Sequence, residues 1–209
     1  MKSFVGKLVL LTGAPGTGKS TLAGVIQRII KPVQSVDYGH LLLERLKKRM
    51  GSGISYSQLR RQSSDVISHL DVQKLDTELI SEFRRLRKRT NLVIDSHAVT
   101  KERFGYRITP FSGNQLAKLK LDAVVSLHCD PEVLANRVQA DPQGRRSISV
   151  EEARHHQVLQ EAVASFYGII CGCPVFIIDN TTRSAHETAK EFTAILTKIE
   201  ARIHTVTVR

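Results

Sequence analysis

Short apolar runs alternate along this chain with longer segments whose apolar residues recur at helical spacing. Continuous apolar runs are typical of parallel strands covered on both faces, and the helical segments between them indicate an α/β fold with a parallel sheet. In the first and last runs four apolar residues follow one another. The runs predicted to be strands are residues 7–12, 32–37, 92–97, 123–130 and 174–179.

Several predicted helices carry capping signals at their starts. Asp130 is followed by Pro131, and an aspartate N-cap before a proline in the first turn suits a helix N-terminus. Three serines stand three residues before a glutamate or glutamine, which is the spacing of a capping box. These pairs are Ser149 with Glu152, Ser184 with Glu187, and Ser55 with Gln58.

The pattern predicts one domain of 209 residues with a single hydrophobic core. We expect the core to comprise residues 1–37, 91–138 and 150–209, with an insertion at about 38–90 and an irregular segment at about 139–149. No apolar run approaches the roughly 20 residues that a membrane-spanning helix needs. The three cysteines do not form a disulfide framework. We therefore expect a cytoplasmic protein with no membrane partner.

A glycine-rich turn follows the first predicted strand. It fits the pattern Gly-x-x-x-x-Gly-Lys-Ser and precedes a helical sequence. In that context backbone N–H groups and the helix N-terminus surround phosphates, the lysine reaches the β- and γ-phosphates, and the serine hydroxyl holds Mg²⁺. The sequence therefore predicts an ATP-type triphosphate site with bound magnesium. It is formed by Gly13, Ala14, Pro15, Gly16, Thr17, Gly18, Lys19, Ser20 and Thr21.

A carboxylate at a neighbouring strand end is expected to orient the magnesium ion through water. Asp95 and Asp37 each follow an apolar run, and Asp95 has the more continuous run before it. We therefore prefer Asp95 and keep Asp37 as the alternative. His97 lies two residues beyond Asp95 and is a candidate contact for the phosphoryl acceptor, with a structural role as the alternative.

The chain is strongly basic, with 31 Lys and Arg against 20 Asp and Glu and a formal net charge of +11. Such a surplus favours anionic partners, and arginine suits phosphoryl transfer because its planar fork binds phosphate oxygens in pairs. Arg145 and Arg146 follow Gly144 in the irregular segment, and we expect them to close over the phosphates as catalytic groups. The basic run at 84–89 is expected to be a solvated helix end.

Longer stretches of the sequence resemble the archaeal-type adenylate kinases, a branch of the nucleoside monophosphate kinases. Residues 94–111, IDSHAVTKERFGYRITPF, are similar to that family's third-strand motif, an Asp-x-His followed by Lys and Gly-Tyr. Residues 154–180, RHHQVLQEAVASFYGIICGCPVFIIDN, resemble its His-Gln helix and last strand. Residues 134–146, LANRVQADPQGRR, are similar to its short lid. These similarities follow the family's order over nearly the whole chain.

The resemblance implies a P-loop kinase with a five-stranded parallel sheet in the order 2-3-1-4-5, a monophosphate-binding insertion and a short lid. It implies phosphoryl transfer from Mg-ATP to a nucleoside monophosphate, with AMP as the leading acceptor. Tyr38 and Gly39 would open the monophosphate helix, and Arg60 or Arg61 would bind the monophosphate. On the ATP side the resemblance implies Arg137 against the adenine and Asn180 at the end of the last strand. His156 and Gln157 match the His-Gln pair.

Two positions depart from the family pattern. After His-Gln the pattern suggests an arginine in the helix, and this chain has Gln160 and Glu161 there. Arg137 precedes Asp141 by four residues, a spacing at which a helical ion pair forms.

Two other functions stay open on the sequence alone. One is a P-loop kinase whose acceptor is another small hydroxyl or phosphate compound. The other is an ATP-binding module that associates with RNA and hydrolyses ATP slowly. The net charge and the C-terminal KIEARIHTVTVR favour the second, whereas only 5% aromatic residues are present to stack on bases. Homo-oligomers are compatible with all three functions.

Overall fold

The computed structural model describes residues 5–50, 69–102, 105–108, 111–141 and 147–206. Strands and helices alternate along most of the chain. In chain order the elements are β1 Leu8–Gly13, α1 Lys19–Ile29, β2 Val33–Asp37, α2 Tyr38–Met50, α3 His69–Leu86, β3 Asn91–Asp95, β4 Val99–Glu102, β5 Gly105–Ile108, α4 Gly113–Leu119, β6 Ala123–His128, α5 Pro131–Gln139, α6 Val150–Cys171, β7 Val175–Asp179 and α7 Ala185–Val206.

Five strands form one parallel sheet in the order β2-β3-β1-β6-β7. Counted along the chain, these are strands 2-3-1-4-5, so the predicted order is confirmed. The labels differ because an antiparallel hairpin, β4-β5, takes two numbers between β3 and β6. This hairpin was not predicted.

Two of the predicted strands are too long. The run predicted at 92–97 ends at Asp95, and the run predicted at 123–130 ends at His128. After Asp95 the N–H of Ser96 makes one more bond to β1, at the carbonyl of Leu11, and the N–H of Ala98 then bonds to the hydroxyl of Thr12. After β6, Asp130 becomes the N-cap of α5, where its carboxylate accepts bonds from two backbone N–H groups.

Alternating side chains of β1 supply both faces of the core. Leu8 and Leu10 pack with helices α2, α3, α4 and α6 on one face. Val9 and Leu11 pack with α1 and α7 on the other face. All four are fully buried, which explains why the predicted central strand is continuously apolar.

The predicted capping boxes form where the structure describes them. Ser149 and Glu152 exchange side-chain bonds with each other's backbone N–H, and Ser184 and Glu187 do the same. Ser112 and Gln115 make a further box at the start of α4 that was not predicted. The predicted box of Ser55 with Gln58 lies outside the described residues.

The basic run at 84–89 is only partly a solvated helix end. Arg85 is exposed in the last turn of α3, as expected. For Arg87 the prediction is wrong, because its guanidinium donates to the carbonyls of Gly6 and Lys120 and pairs with Asp122 at 2.7 Å. Arg87 therefore ties the end of α3 to the chain entering β1 and β6. Among the described helices, none is long and apolar enough to cross a lipid bilayer.

Candidate nucleotide-binding site

The glycine-rich turn between β1 and α1 follows the tight path of a phosphate loop. Gly13, Gly16 and Gly18 all have positive φ. At Gly16 (φ +92°) a Cβ would lie 3.0 Å from side-chain carbons of Leu134 and Val138 on α5. Glycine is therefore needed here both for the backbone angle and for the close approach of α5.

The loop is held by its own polar side chains. The hydroxyl of the fully buried Thr17 donates to the carbonyl of Ala14 at 2.8 Å. The ammonium of Lys19, which is only 5% exposed, donates to the carbonyls of Gly13 at 2.8 Å and Ala14 at 3.2 Å. The Lys19 side chain thus folds back onto the loop. From there its ammonium can exchange these carbonyls for phosphate oxygens of a bound triphosphate.

The first turn of α1 has no side-chain cap. Gly18 occupies the N-cap and brings no side-chain acceptor, unlike the capped helices α5 and α6. Ser20 and Thr21 are exposed in the first turn, which contains no acidic residue. N–H groups at such a helix start are donors for an anion, and the helix dipole adds positive potential.

The two candidate carboxylates occupy different places in the sheet. Asp95 ends β3, the strand next to β1, in register with Leu11, and it is 7% exposed. Asp37 ends the edge strand β2, and its carboxylate accepts a bond from the N–H of His40 at 2.9 Å. Asp95 therefore lies one strand from the phosphate loop, whereas Asp37 lies two strands away and caps α2. This arrangement supports Asp95.

His97 brings the segment after β3 against the phosphate loop. Its Nδ1 lies 3.0 Å from the carbonyl of Gly13. A carbonyl oxygen only accepts, so Nδ1 carries the proton in this contact. The same carbonyl accepts from Lys19, so the phosphate loop and the exit of β3 meet at one backbone oxygen.

Asn180 braces the loop from the end of the last strand. Its amide nitrogen donates to the carbonyl of Thr17 at 2.8 Å, and its amide oxygen accepts from the Thr188 hydroxyl of α7 at 2.6 Å. The sequence suggested Asn180 as an ATP contact. Its side chain instead fixes the loop through Thr17, and its backbone N–H and carbonyl bond to His128 and Arg137.

Arg137 lies on α5 beside Asn180. Its guanidinium donates to the carbonyls of Asn180 and Thr181 at 3.1 and 2.9 Å and contacts the sulfur of Cys129 at 3.3 Å. Burial raises the pKa of the Cys129 thiol, so the sulfur is neutral near pH 7. The guanidinium is therefore held against the residues that follow β7, and it does not form the local pair with Asp141 that the spacing allowed.

On the acceptor side, Tyr38 begins α2 as expected, and its side chain is buried. The hydroxyl donates to Asp76 of α3 at 2.6 Å, and the ring packs edge-on against Phe111. Burial, followed by the charge of Asp76, raises the pKa of Tyr38 well above its usual range. Backbone groups of Tyr38 and Gly39 are therefore the atoms available to a ligand. Arg60, Arg61, Arg145 and Arg146 lie outside the described residues.

Glu161, the acidic residue at which the sequence departs from the family pattern, has a histidine partner. Its carboxylate lies 2.7 Å from Nδ1 of His128, at the end of β6. His128 is also paired with Asp179 in the strand register and lowers the pKa of that carboxyl, after the larger effect of hydrogen bonds from Thr181. The Glu161 carboxylate therefore accepts a hydrogen bond from His128 beside the site.

The donor set around the loop fits a magnesium ion. Mg²⁺ prefers oxygen ligands and usually keeps several waters beside one or two protein ligands and substrate phosphates. The exposed hydroxyl of Ser20 and the carboxylate of Asp95 are such oxygens. Within the part of the chain that the structure describes, no group of three or more His, Cys, Asp or Glu side chains could hold a metal ion by itself.

Comparison with known proteins assigns a family to the chain that forms this site. The chain matches a family model described as an AAA domain over residues 12–154, from β1 into α6. It is 31% identical over 186 residues to an adenylate kinase of Thermoplasma acidophilum, across 87% of this chain and 96% of the relative. The chain belongs to the archaeal-type adenylate kinase family. This confirms the resemblance that the sequence motifs indicated.

Further comparisons agree with that family and with the fold. The chain is 31% identical over 150 residues to an adenylate kinase of Pyrobaculum aerophilum, across 71% of this chain and 72% of the relative. A shikimate kinase from Acinetobacter baumannii superposes with a TM-score of 0.60 at 15% identity, covering 93% and 95% of the two chains. A gluconokinase from Sinorhizobium meliloti gives 0.55 at 18% identity, covering 98% of each. These two structures share the fold of the adenylate kinase family member described here.

Sequence reasoning gave no role to several residues that shape the site. Thr12, Gln160 and Thr188 are buried polar residues. Thr12 and Gln160 are partners 148 positions apart, and Thr188 bonds to Asn180, eight positions before it. The one local signal was a hydroxyl residue, Thr12, directly before the first glycine of the loop. Gln160 was noted only as a departure from the family pattern.

Proposed function

We propose that this member of the adenylate kinase family transfers the γ-phosphoryl group of Mg-ATP to a nucleoside monophosphate, with AMP as the first candidate. One observation carries the proposal. Lys19 of the phosphate loop and His97 of the β3 exit meet at the carbonyl of Gly13. A donor phosphate on the loop and an acceptor beside β3 would therefore be neighbours. Two relatives named adenylate kinases support AMP as the acceptor.

In the proposed reaction an acceptor phosphate oxygen attacks the γ-phosphorus, the bond to the β,γ-bridging oxygen breaks, and ADP leaves. Lys19 and the N–H groups of the loop and α1 would stabilise the charge on the β- and γ-phosphate oxygens. When bound, the magnesium ion supplies further positive charge to these oxygens, and Ser20 and Asp95 would hold it, Asp95 through water. Arg137 and the backbone of Asn180 would border the adenine of ATP.

The acceptor side of the proposal rests on the insertion at about 38–90. The backbone at Tyr38 and Gly39, the side chain of His97, and Arg60 or Arg61 would hold the monophosphate. The segment at about 139–149 would act as the lid, with Arg145 and Arg146 closing over the phosphates. A closing lid excludes water, which otherwise competes with the acceptor for the phosphoryl group.

The test compares Lys19→Met with a matched lysine variant, Lys31→Met. Lys31 is exposed at the end of α1, where its ammonium donates to the carbonyl of Gln27. ADP and nucleoside diphosphate formation from Mg-ATP is measured with AMP, CMP, GMP and UMP in turn. We expect AMP to be converted one-for-one with ATP by the wild type and by Lys31→Met, and a loss of about 100-fold or more in Lys19→Met.

Three results would contradict the proposal. The first is ATP hydrolysis whose rate no monophosphate changes. The second is phosphoryl transfer only to a compound that is not a nucleotide. The third is unchanged turnover in Lys19→Met, with circular dichroism showing that the variant is folded.

A further inference from the structure

Helix α6 presents a row of polar side chains to the interior of the protein. His156, Gln157 and Gln160 are 5%, 3% and 1% exposed. Gln160 follows His156 by four residues and Gln157 by three, so it is a neighbour of both on the helix surface. Buried polar side chains are costly unless their hydrogen bonds are made, and all three side chains make them to the ends of the sheet strands.

Gln160 joins the end of β1 to the segment that follows β3. Its amide nitrogen donates to the hydroxyl of Thr12 at 2.7 Å, and its amide oxygen accepts from the N–H of Val99 at 3.1 Å. Thr12 also accepts from the N–H of Ala98 at 2.9 Å. One hydroxyl and one amide therefore close a bridge between β1 and the β3 exit.

The other two side chains extend this bridge. Nε2 of His156 donates to the carbonyl of Val99 at 3.1 Å, so Val99 is held at both its N–H and its carbonyl by α6. Gln157 holds Cys129, after β6, in the same manner, because its amide accepts from the N–H at 2.8 Å and donates to the carbonyl at 2.6 Å. Helix α6 thus makes hydrogen bonds to the chain where it leaves three neighbouring strands, β3, β1 and β6.

These contacts are next to the atoms proposed for the chemistry. Thr12 is the residue before Gly13, where the phosphate loop begins. Ala98 and Val99 follow the segment that contains Asp95 and His97, and Cys129 contacts Arg137. The bridge therefore sets how far the magnesium-side carboxylate and His97 stand from the loop that carries Lys19.

We propose that Gln160 is a positioning residue for phosphoryl transfer, acting with Thr12 to hold the exits of β1 and β3 at a fixed spacing. The inference rests on the proposed function. Gln160 does not touch the substrate in this proposal. Its loss would leave the loop able to bind ATP while Asp95 and His97 shift relative to it.

The test is Gln160→Met, which keeps the length of the side chain and removes the amide. We expect kcat to fall about 10- to 100-fold, because small displacements of reacting groups have effects of this size. The dissociation constant for ATP without magnesium is expected to change less than about threefold, because the backbone cradle of the loop remains. The preference for Mg-ATP over magnesium-free ATP is expected to shrink.

Asn91→Leu is the matched control. The Asn91 amide clamps the opposite ends of the same strands, since its oxygen accepts from the N–H of Lys7 at 2.7 Å and its nitrogen donates to the carbonyl of Pro32 at 3.1 Å. Both variants are expected to lower the melting temperature. Only Gln160→Met is expected to lower kcat at a temperature where both are folded. Equal kcat values in the two variants would overturn the positioning role.

A second pair of variants tests the partner of Gln160. Thr12→Ser keeps the accepting oxygen and is expected to retain kcat within about threefold, whereas Thr12→Val removes it and is expected to match Gln160→Met. The double variant Thr12→Val, Gln160→Met is expected to lose no more than the worse single variant, because both break one bridge. Full additivity of the two losses would overturn the proposal.

Failure of the proposed function is distinguishable from failure of this inference. If the wild type transfers phosphate to no monophosphate, the proposed function is wrong. The preference for binding Mg-ATP over magnesium-free ATP then tests whether Gln160 is a positioning residue. A preference reduced in Gln160→Met and intact in Asn91→Leu supports it. A preference that is the same in both variants overturns it.

Discussion

At the scale of single residues, Gly18 shows how little space the phosphate loop leaves. Its φ of +94° is one that side chains rarely adopt, and a Cβ would lie 2.6 Å from the amide nitrogen of Asn180. That amide holds the carbonyl of Thr17. A methyl group here would therefore displace the brace that fixes the loop as well as strain the backbone.

We expect Gly18→Ala to weaken ATP binding by about tenfold or more and to lower the free energy of unfolding by about 1–3 kcal/mol. Gly24→Ala on the exposed face of α1 is the control, because nothing lies within 4 Å of a Cβ there. Alanine in a helix interior is favoured over glycine by about 0.5–1 kcal/mol, so this control is expected to be more stable with unchanged affinity. Calorimetric titration with ATP and thermal denaturation measure both quantities. Equal ATP affinity of the two variants would contradict this account.

Other residues of the site differ in whether a local sequence pattern indicates them. Lys19 and Asp95 were singled out because each follows a strand pattern typical of its proposed role. Asn180 was expected to contact ATP, whereas its hydrogen bond to Thr17, which spans 163 positions of the chain, was not expected. No local pattern indicates such a partner, because it depends on how β7 is placed against the loop.

At the scale of elements, the basic run fixes the end of α3 mainly through Arg87, while Arg84 adds one exposed bond to the carbonyl of Lys118. Arg87 bonds to two backbone carbonyls and to Asp122, and both side chains of that ion pair are 17% exposed. Asp122 also accepts from the N–H of Leu8 at the start of β1. The charges of Arg87 and Asp122 therefore pair within the fold, and the cation also lies near the carbonyl that ends α4, where positive charge is favourable.

We expect Arg87→Met to lower the free energy of unfolding by about 2–3 kcal/mol, since it leaves a partly buried carboxylate and two carbonyls without their charged donor. Arg85→Met is the control from the same run. Its guanidinium is 71% exposed and lies 3.7 Å from Glu82, and exposed pairs of this kind contribute about 0–1 kcal/mol. Urea denaturation of the two variants and the wild type measures the difference. A loss of equal size in both variants would show that Arg87 is not the specific tie.

At the scale of the whole molecule, stability is expected to depend on pH through His156. Burial, and to a smaller extent the charges of Lys19 and Lys101, hold the pKa of His156 below its ordinary value of 6.5, against the raising effect of its bond to Val99. The unfolded chain therefore binds a proton more readily than the folded one below pH 6.5. Stability is fully present above that pH and is lost as pH falls toward the lowered pKa, by up to about 1.4 kcal/mol per pH unit.

We expect His156→Gln, which keeps a donor for Val99, to lose less stability than the wild type between pH 7.5 and pH 5.5. His155→Gln is the control, because His155 lies one residue away on the same helix and is 68% exposed, beside Glu151. It is expected to follow the wild-type curve. Free energies of unfolding from urea titrations at several pH values provide the measurement. Parallel curves for all three proteins would contradict a buried neutral His156.

The sequence by itself determined the features that local chemistry encodes. Glycines with a lysine and a hydroxyl between strand and helix predicted the phosphate loop, apolar runs predicted the parallel strands, and serine-glutamate spacing predicted two helix starts. Each of these depends on residues within a few positions of one another, so turn geometry, periodicity and capping are enough to recognise them.

Only the tertiary structure decided which distant residues support the site. The bridge from Gln160 to Thr12 spans 148 positions, and the hydrogen bond from Asn180 to Thr17 spans 163. Buried polar groups take whichever partner the packed helices and strands bring within reach. Their roles therefore became visible only once α6 was packed against the sheet.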